Sequence, residues 1–411
     1  MNLRTKILVL MFGALVMNGC VGVQDAEGWR YGQKSEFLTI LKTDKYASIC
    51  NQEALYQKVK ASNNSKLMTK LLVAYTNNLA NSCIVNPIHT SKVHGKTVKN
   101  YGTYTQSVNT SEIQMKLKAG QSIAQILKPY VPEYIQFTKL IEKYNLLKAT
   151  SGTSEEVLHK LRINIERLKL MKPNIGKNYA LVNIPEYVVR IIENDKASVQ
   201  MAVVVGKTSL RTPIFSSDLS YITLNPQWSV PNSIARHEII PHLIKDPNYL
   251  SKKRMVMRSS YDLNSKKLSP SSVNLRAYSG GKGPVPFKFI EVPSKRNGLG
   301  RVKFIFPNHH SVYMHDTQSK HLFKRKVRTY SHGCVRLAEP MKMLNYIAQH
   351  YTAITPEKLS KEYKSLKTHY VKITKRLAVH TAYLTMYVED DNTLLQFNDI
   401  YGYDAYQKLN F

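Results

Sequence analysis

The apolar pattern of this chain changes period once, near Asn178, and that change restricts the folds open to it. Before it, apolar residues recur at helical spacing: Phe37, Ile40 and Leu41, then Leu67, Leu71, Leu72 and Tyr75. The stretch 132–148 (PEYIQFTKLIEKYNLLK) predicts a further helix, and a Ser/Thr/Gly loop follows at 148–154. Thr153 with Glu156 has the spacing of a capping box, and Leu158, Leu161, Ile165 and Leu168 form one stripe behind it. After the change, residues 179–207 (YALVNIPEYVVRIIENDKASVQMAVVVGK) run in β-branched segments broken at Asn194-Asp195, a hairpin signal. SYITLNPQWSVP (220–231) predicts a strand entering a proline-bounded turn.

Over about 235–300 the strand signal fades into Lys-rich helical and loop pieces, an insertion long enough to be a lid. Strands return at RVKFIFP (301–307) and SVYMHD (311–316). An amphipathic helix is predicted over 339–351, and two strands over 379–397 joined near Asp391-Asn392. The expected class is α+β: a helical scaffold over 21–175, a strand-rich domain over 176–385 with its lid at about 236–300, and a strand and tail over 386–411.

Fifty-nine Lys and Arg against 28 Asp and Glu give a net charge of +31, which favours a polyanionic partner. Neither RNA-binding nor helix-turn-helix signatures are evident and the charge is spread along the chain, so no nucleic-acid partner is expected. An anionic envelope surface or peptidoglycan carboxylates fit the same balance, as does a generally basic surface. Arg4 and Lys6 precede an apolar run, Ile7 to Val16, too short to span a bilayer comfortably. The run ends in Met17-Asn18-Gly19-Cys20 and resembles a bacterial lipoprotein signal over residues 1–20, with Cys20 the lipidation candidate. An ordinary cleaved signal and an uncleaved anchor are the alternatives. Both the lipid and the anchor would hold the chain at a membrane in an exported compartment.

Cysteines in an oxidising compartment tend to pair. With Cys20 lipidated, Cys50 and Cys83 can form a disulfide, and Cys334 is left over. The bridge would stabilise by about 4 kcal/mol on the chain-entropy model; the alternative is two free buried thiols. A thiol attacks as thiolate and needs a base or a cation beside it. Cys334 follows Ser331-His332-Gly333, and His315 lies upstream on a predicted strand with Tyr313 on the same face. Fifteen residues separate His315 from Ser331, enough for the chain to return beside the cysteine. Gly333 permits close backbone approach, and the amides of a tight turn there suit an oxyanion.

A histidine on a strand, about fifteen residues, then Ser331-His332-Gly333-Cys334-Val335-Arg336 resembles the signature of the L,D-transpeptidase (YkuD-type) family. Further segments, among them VVVGKTSLRTPIFS, LNPQWSVPNSIA, NGLGRVKF, YMHDT and FNDIYGYD, are similar to its large periplasmic Gram-negative branch, over about residues 155–405. The resemblance implies a mixed β-sandwich-like catalytic domain with a lid, in the periplasm, acting on peptidoglycan stem peptides. Cys334 would attack the carbonyl of the third stem residue and expel the terminal D-alanine, and an amine of a neighbouring stem would take the acyl group in a 3→3 cross-link. His315 would be the base, oriented by Asp316 through its backbone carbonyl. The amides of Gly333 and Cys334 would form the oxyanion hole, with Ser331 and His332 in support. Tyr313, Arg336, Trp228 and Asn225 would line the substrate pocket. The peptidoglycan-binding helical module of this branch has no counterpart before residue 154. No cofactor is implied, because thiol acyl transfer needs none.

Other readings stay open on the residues alone. His315, His332 and Cys334 could hold zinc, although a fourth ligand at usual spacing is not evident. Arg336 could pair with Glu339 instead of a substrate carboxylate. Trp228 could belong to the core. Water could replace the amine, giving a carboxypeptidase or endopeptidase, and a non-catalytic wall tether would use only the charge and the lipid.

Overall fold

The computed structural model describes residues 24–93, 96–173 and 176–411, so the signal segment and Cys20 lie outside the described residues. Seven α-helices make up most of the first part, from Tyr31–Lys42 to Glu155–Lys169, with a small hairpin, Thr90–Val93 against Lys96–Lys99. The helix Glu155–Lys169 begins one residue later than its spacing predicts. Ser154, not Thr153, is its cap, accepting from the Glu156 amide at 3.2 Å, while the Thr153 hydroxyl turns back to the Thr150 carbonyl. Leu161, Ile165 and Leu168 are buried as one stripe, but the facing side buries charge: Arg162, Glu166 and Lys169. Glu166 accepts from Lys169 Nζ (2.8 Å), Arg162 Nε (3.1 Å) and the Cys83 amide (2.7 Å), so these buried charges are paired and hydrogen-bonded. Cys50 and Cys83 are joined by a disulfide beside that cluster.

The second part is built on an 11-stranded mixed sheet. Its central run places Tyr221–Leu224, Val302–Ile305, Met314–His315, Val335–Leu337 and Lys196–Gly206 side by side. Asn194 and Asp195 form the hairpin turn before the last of these, both with left-handed φ (48° and 67°). Alternation on Val302–Ile305 is clean. Val302 and Phe304 enter the core, and Lys303 and Ile305 face outward. Met314–His315 and Val335–Leu337 pair in parallel, with His315 opposite Arg336. Parallel neighbours need a crossover of a dozen or more residues, and that requirement accounts for the spacing between His315 and the Ser-His-Gly-Cys turn.

The insertion folds as a subdomain with its own core, including Val230, Ile240, Leu243, Met257, Phe287 and Phe289. It contains strand as well as helix and loop. Met255–Arg258, Lys288–Glu291 and Trp228–Ser229 form a three-stranded sheet, so the lid starts before residue 236 and its last strand ends at Glu291. Three strands, not two, occupy the C-terminal stretch. Ala378–Ala382 joins the main sheet, and Met386–Val388 pairs with Leu394–Gln396 around Asn392.

The helical part and the sheet share one apolar cluster, in which Phe37, Leu72, Phe137 and Leu161 pack with Tyr179, Ala378 and Leu384. The C-terminal tail closes back on the first part. Leu409 bridges to Ile84, and the Asn410 amide donates to the Cys83 carbonyl at 2.9 Å. Among the described residues no helix is long and apolar enough to cross a membrane.

Candidate active site

A cleft of about 1170 Å³ opens between the sheet and the lid. Tyr313, His315, Cys334 and Arg336 line it together, with Trp228, Ser331, His332 and Gly333. The strand register explains the grouping. His315 and Arg336 are direct partners, and two residues back along both strands Cys334 falls beside Tyr313. Side chains two apart on a strand share a face, so all four point to one side. The same row extends to Lys303, the partner of His315 on the neighbouring antiparallel strand.

His315 is 5% exposed, and its Nδ1 lies 2.5 Å from the Asp316 carbonyl oxygen. A carbonyl only accepts, so Nδ1 carries the proton and Nε2 keeps its lone pair. Burial, with the Arg336 charge adding to it, lowers the His315 pKa to about 3, so the ring stays neutral. The Asp316 carboxylate faces elsewhere, accepting from the amides of Arg301 (2.9 Å) and Thr317 (2.7 Å) and from Lys320 Nζ (2.8 Å). Its closeness to the backbone requires Gly300, where a Cβ would sit 2.2 Å from that carboxylate.

Cys334 is the free cysteine among the described residues and is half-buried. Burial pushes its thiol pKa up, while hydrogen bonding from the backbone and phenol of Tyr313 and the charges of Lys303 and Arg336 pull it back. The thiol's hydrogen bond runs to the Ser311 carbonyl at 3.9 Å; no bond between it and His315 is present among the described residues. His315 and Cys334 therefore share a face of the cleft without a direct link in this resting arrangement. Lys303 is the neighbour the sequence does not announce. Its ammonium lies 3.9 Å from the Tyr313 ring centroid, and burial lowers its pKa.

Two expectations change. The Gly333 amide donates to Ser331 Oγ at 3.1 Å, and that hydroxyl donates to the Cys334 carbonyl. Gly333 thus shapes the turn, at φ 112°, instead of offering its N–H to the cleft, and of the expected pair only the Cys334 amide stays a candidate for the oxyanion. Asn225 is absent from the cleft lining. It is 2% exposed, with its amide nitrogen 3.1 Å from the carbonyls of Glu362, Tyr363 and Lys367 and its oxygen accepting from Arg301. It fastens the sheet to the segment 362–368. Trp228 does both expected things, lining the cleft and packing on the lid core. His332 joins the lid through Glu238. The zinc alternative finds no support in geometry. Among the described residues the one grouping with metal-ligand spacing is Cys50, Cys83 and Glu166, whose sulfurs are bonded to each other.

Residues 177–356 match the family model for the YkuD L,D-transpeptidase catalytic domain. A Haemophilus influenzae protein named "Putative L,D-transpeptidase" is 28% identical over 268 residues, 65% of this chain and 52% of its own length. The chain thus spans about half the length of that curated relative. Among solved structures, an L,D-transpeptidase from Mycobacterium smegmatis aligns with 50% of this chain and 58% of its own, at 12% identity and a TM-score of 0.22. A mutant L,D-transpeptidase of Enterococcus faecium aligns with 76% of this chain and 82% of its own, also at 12% and 0.22. The family-model match and the curated relative agree that residues 177–356 are similar to the YkuD-type L,D-transpeptidase catalytic domain.

Proposed function

We propose that this chain is a peptidoglycan L,D-transpeptidase that works through a thioester on Cys334. The observation that carries the reading is a free thiol in an open cleft, on the same face as a neutral imidazole and flanked by two cations, Lys303 and Arg336. In this reading the Cys334 side chain turns off the Ser311 carbonyl toward Nε2 of His315. His315 takes the thiol proton as sulfur attacks the carbonyl of the third stem residue. The Cys334 amide and Tyr313 face the developing oxyanion, which Arg336 and Lys303 also stabilise. Collapse breaks the peptide bond, and the proton held on His315 goes to the departing D-alanine amine. The side-chain amine of a second stem then attacks the thioester, loses a proton to His315, and the free thiol is restored with a 3→3 link formed. No oxidant, reductant or metal enters this balance.

An exported chain suits the substrate, and the Cys50–Cys83 disulfide is in keeping with an oxidising compartment. The basic net charge suits carboxylate-bearing stems. Purified chain incubated with tetrapeptide muropeptides is expected to release D-alanine and yield 3→3 dimers, with an acyl adduct on Cys334 in intact-mass analysis. Cys334→Ala should give neither. Dimers formed by Cys334→Ala would refute the nucleophile, and tripeptide without dimers from the parent chain would make it a carboxypeptidase.

A further inference from the structure

A side-chain pair joins the lid to the turn that carries Cys334. His332, two residues before Cys334, pairs through Nε2 with Glu238 Oε1. Glu238 sits on a π-helical turn, Ala235–Ile239, set between a short helix and Ile240–Lys245. Single π turns inside helices are frequent at functional positions, and Ala235 and Ile239 at the two ends of this one, with Ile240 next to it, are seated in the lid core. The turn's position is therefore fixed by the lid. The His332 side is equally constrained, because Ser331 and Gly333 are locked by their mutual hydrogen bond and the Gly333 carbonyl accepts from Thr212 Oγ1 at 2.9 Å.

The lid's last strand is fastened to its own exit loop. There the Gly298 amide donates to Glu291 at 2.9 Å, and Asn297 donates to the carbonyls of Glu291 and Val292. The pair at His332 lines the cleft. Glu238 is the one carboxylate among the residues lining a cleft that includes Lys92, Lys207, Arg211, Arg236, Lys282 and Arg336. His332 first, then the charges of Lys207 and His242, hold the Glu238 carboxyl below its usual range, so it is ionised.

We propose that Glu238 is a positioning residue: through His332 it clasps the lid to the nucleophile's turn and sets the cleft's width over Cys334. The effect on catalysis rests on the transpeptidase reading; the clasp itself does not. The side chains are 29% and 43% exposed, so the pair adds little to global stability and its effect is local.

Hydrogen exchange on the full chain tests the clasp directly. Glu238→Ala is expected to speed exchange about 5- to 10-fold in both 232–245 and 331–335, with the melting temperature unchanged. Glu238→Gln keeps an acceptor and should fall between. Adding His332→Ala to Glu238→Ala should speed exchange no further, as a shared interaction requires. With tetrapeptide donor, Glu238→Ala should raise KM about 3- to 10-fold and leave kcat within about twofold. Unchanged exchange in either segment, independent addition of the two variants, or equal falls in kcat and kcat/KM would overturn the proposal. A parent chain that shows the exchange effects but no Cys334-dependent transfer would refute the enzymatic reading while upholding the clasp.

Discussion

Cys334 works against its own burial. Desolvation raises its pKa, and Tyr313, Lys303 and Arg336 lower it without cancelling the rise. His315, held neutral to about 3, adds no titration near neutrality. The signs fix the pH behaviour. Protons leave the imidazole far below neutral pH and leave the thiol above the ordinary thiol range, so alkylation of Cys334 by iodoacetamide should climb steadily with pH through neutrality. An inflection near pH 6–7 would contradict a neutral His315. Lys303→Met removes one stabilising charge, and the alkylation rate near neutrality should fall about 10-fold, the effect of one pKa unit. Lys303 escapes a sequence reading because an alternating lysine in a strand looks like solvent face; only the register with His315 brings it to the thiol. His315 and Cys334 are legible because the crossover between parallel strands sets their spacing. Asn225 misleads for the opposite reason. It stands near Trp228 in sequence, but its left-handed φ of 46° turns it to the carbonyls of 362–367.

The lid is the element where composition and structure part. Lys252, Lys253 and Arg254 precede its strand Met255–Arg258 and Arg258 ends it, and their charge hides a two-residue alternation of Met255 and Met257 into the core. Helices Tyr31–Lys42 and Ser65–Asn81, with plain apolar stripes, are legible without ambiguity. One buried guanidinium gathers the lid's loop 278–284. Arg236 donates to the carbonyls of Tyr278 (3.0 Å), Gly280 (3.0 Å), Gly283 (2.9 Å) and Pro284 (3.1 Å). Lysine has no planar fork to repeat this. Both Arg236→Ala and Arg236→Lys are therefore expected to expose 278–284, and limited proteolysis there should quicken by about 10-fold or more. Cleavage confined to other loops would show that the guanidinium is dispensable to the lid.

On the scale of the whole molecule, the two parts seen in the apolar pattern are not two folding units. Tyr179, Ala378 and Leu384 complete the apolar cluster of the helices, and Arg167 on the helix Glu155–Lys169 pairs with Asp404 at 2.7 Å. The full chain should thus melt in one calorimetric transition whose van't Hoff and calorimetric enthalpies agree. A fragment of residues 176–411 should fail to fold, since it exposes the helices' side of a shared core. Two separated transitions would refute this. Sequence pattern shows the boundary in period but is blind to which faces meet across it.

The tail's return has a consequence for the order of assembly. Gln407 donates to the carbonyl of Pro87, 320 residues earlier, and Asn410 reaches Cys83 itself. The opening helices must wait for partners that leave the ribosome long after them. Contacts of such wide sequence separation are expected to form late in folding. The early disulfide then acts as a bookmark, keeping one correct contact while the remainder of the polypeptide arrives.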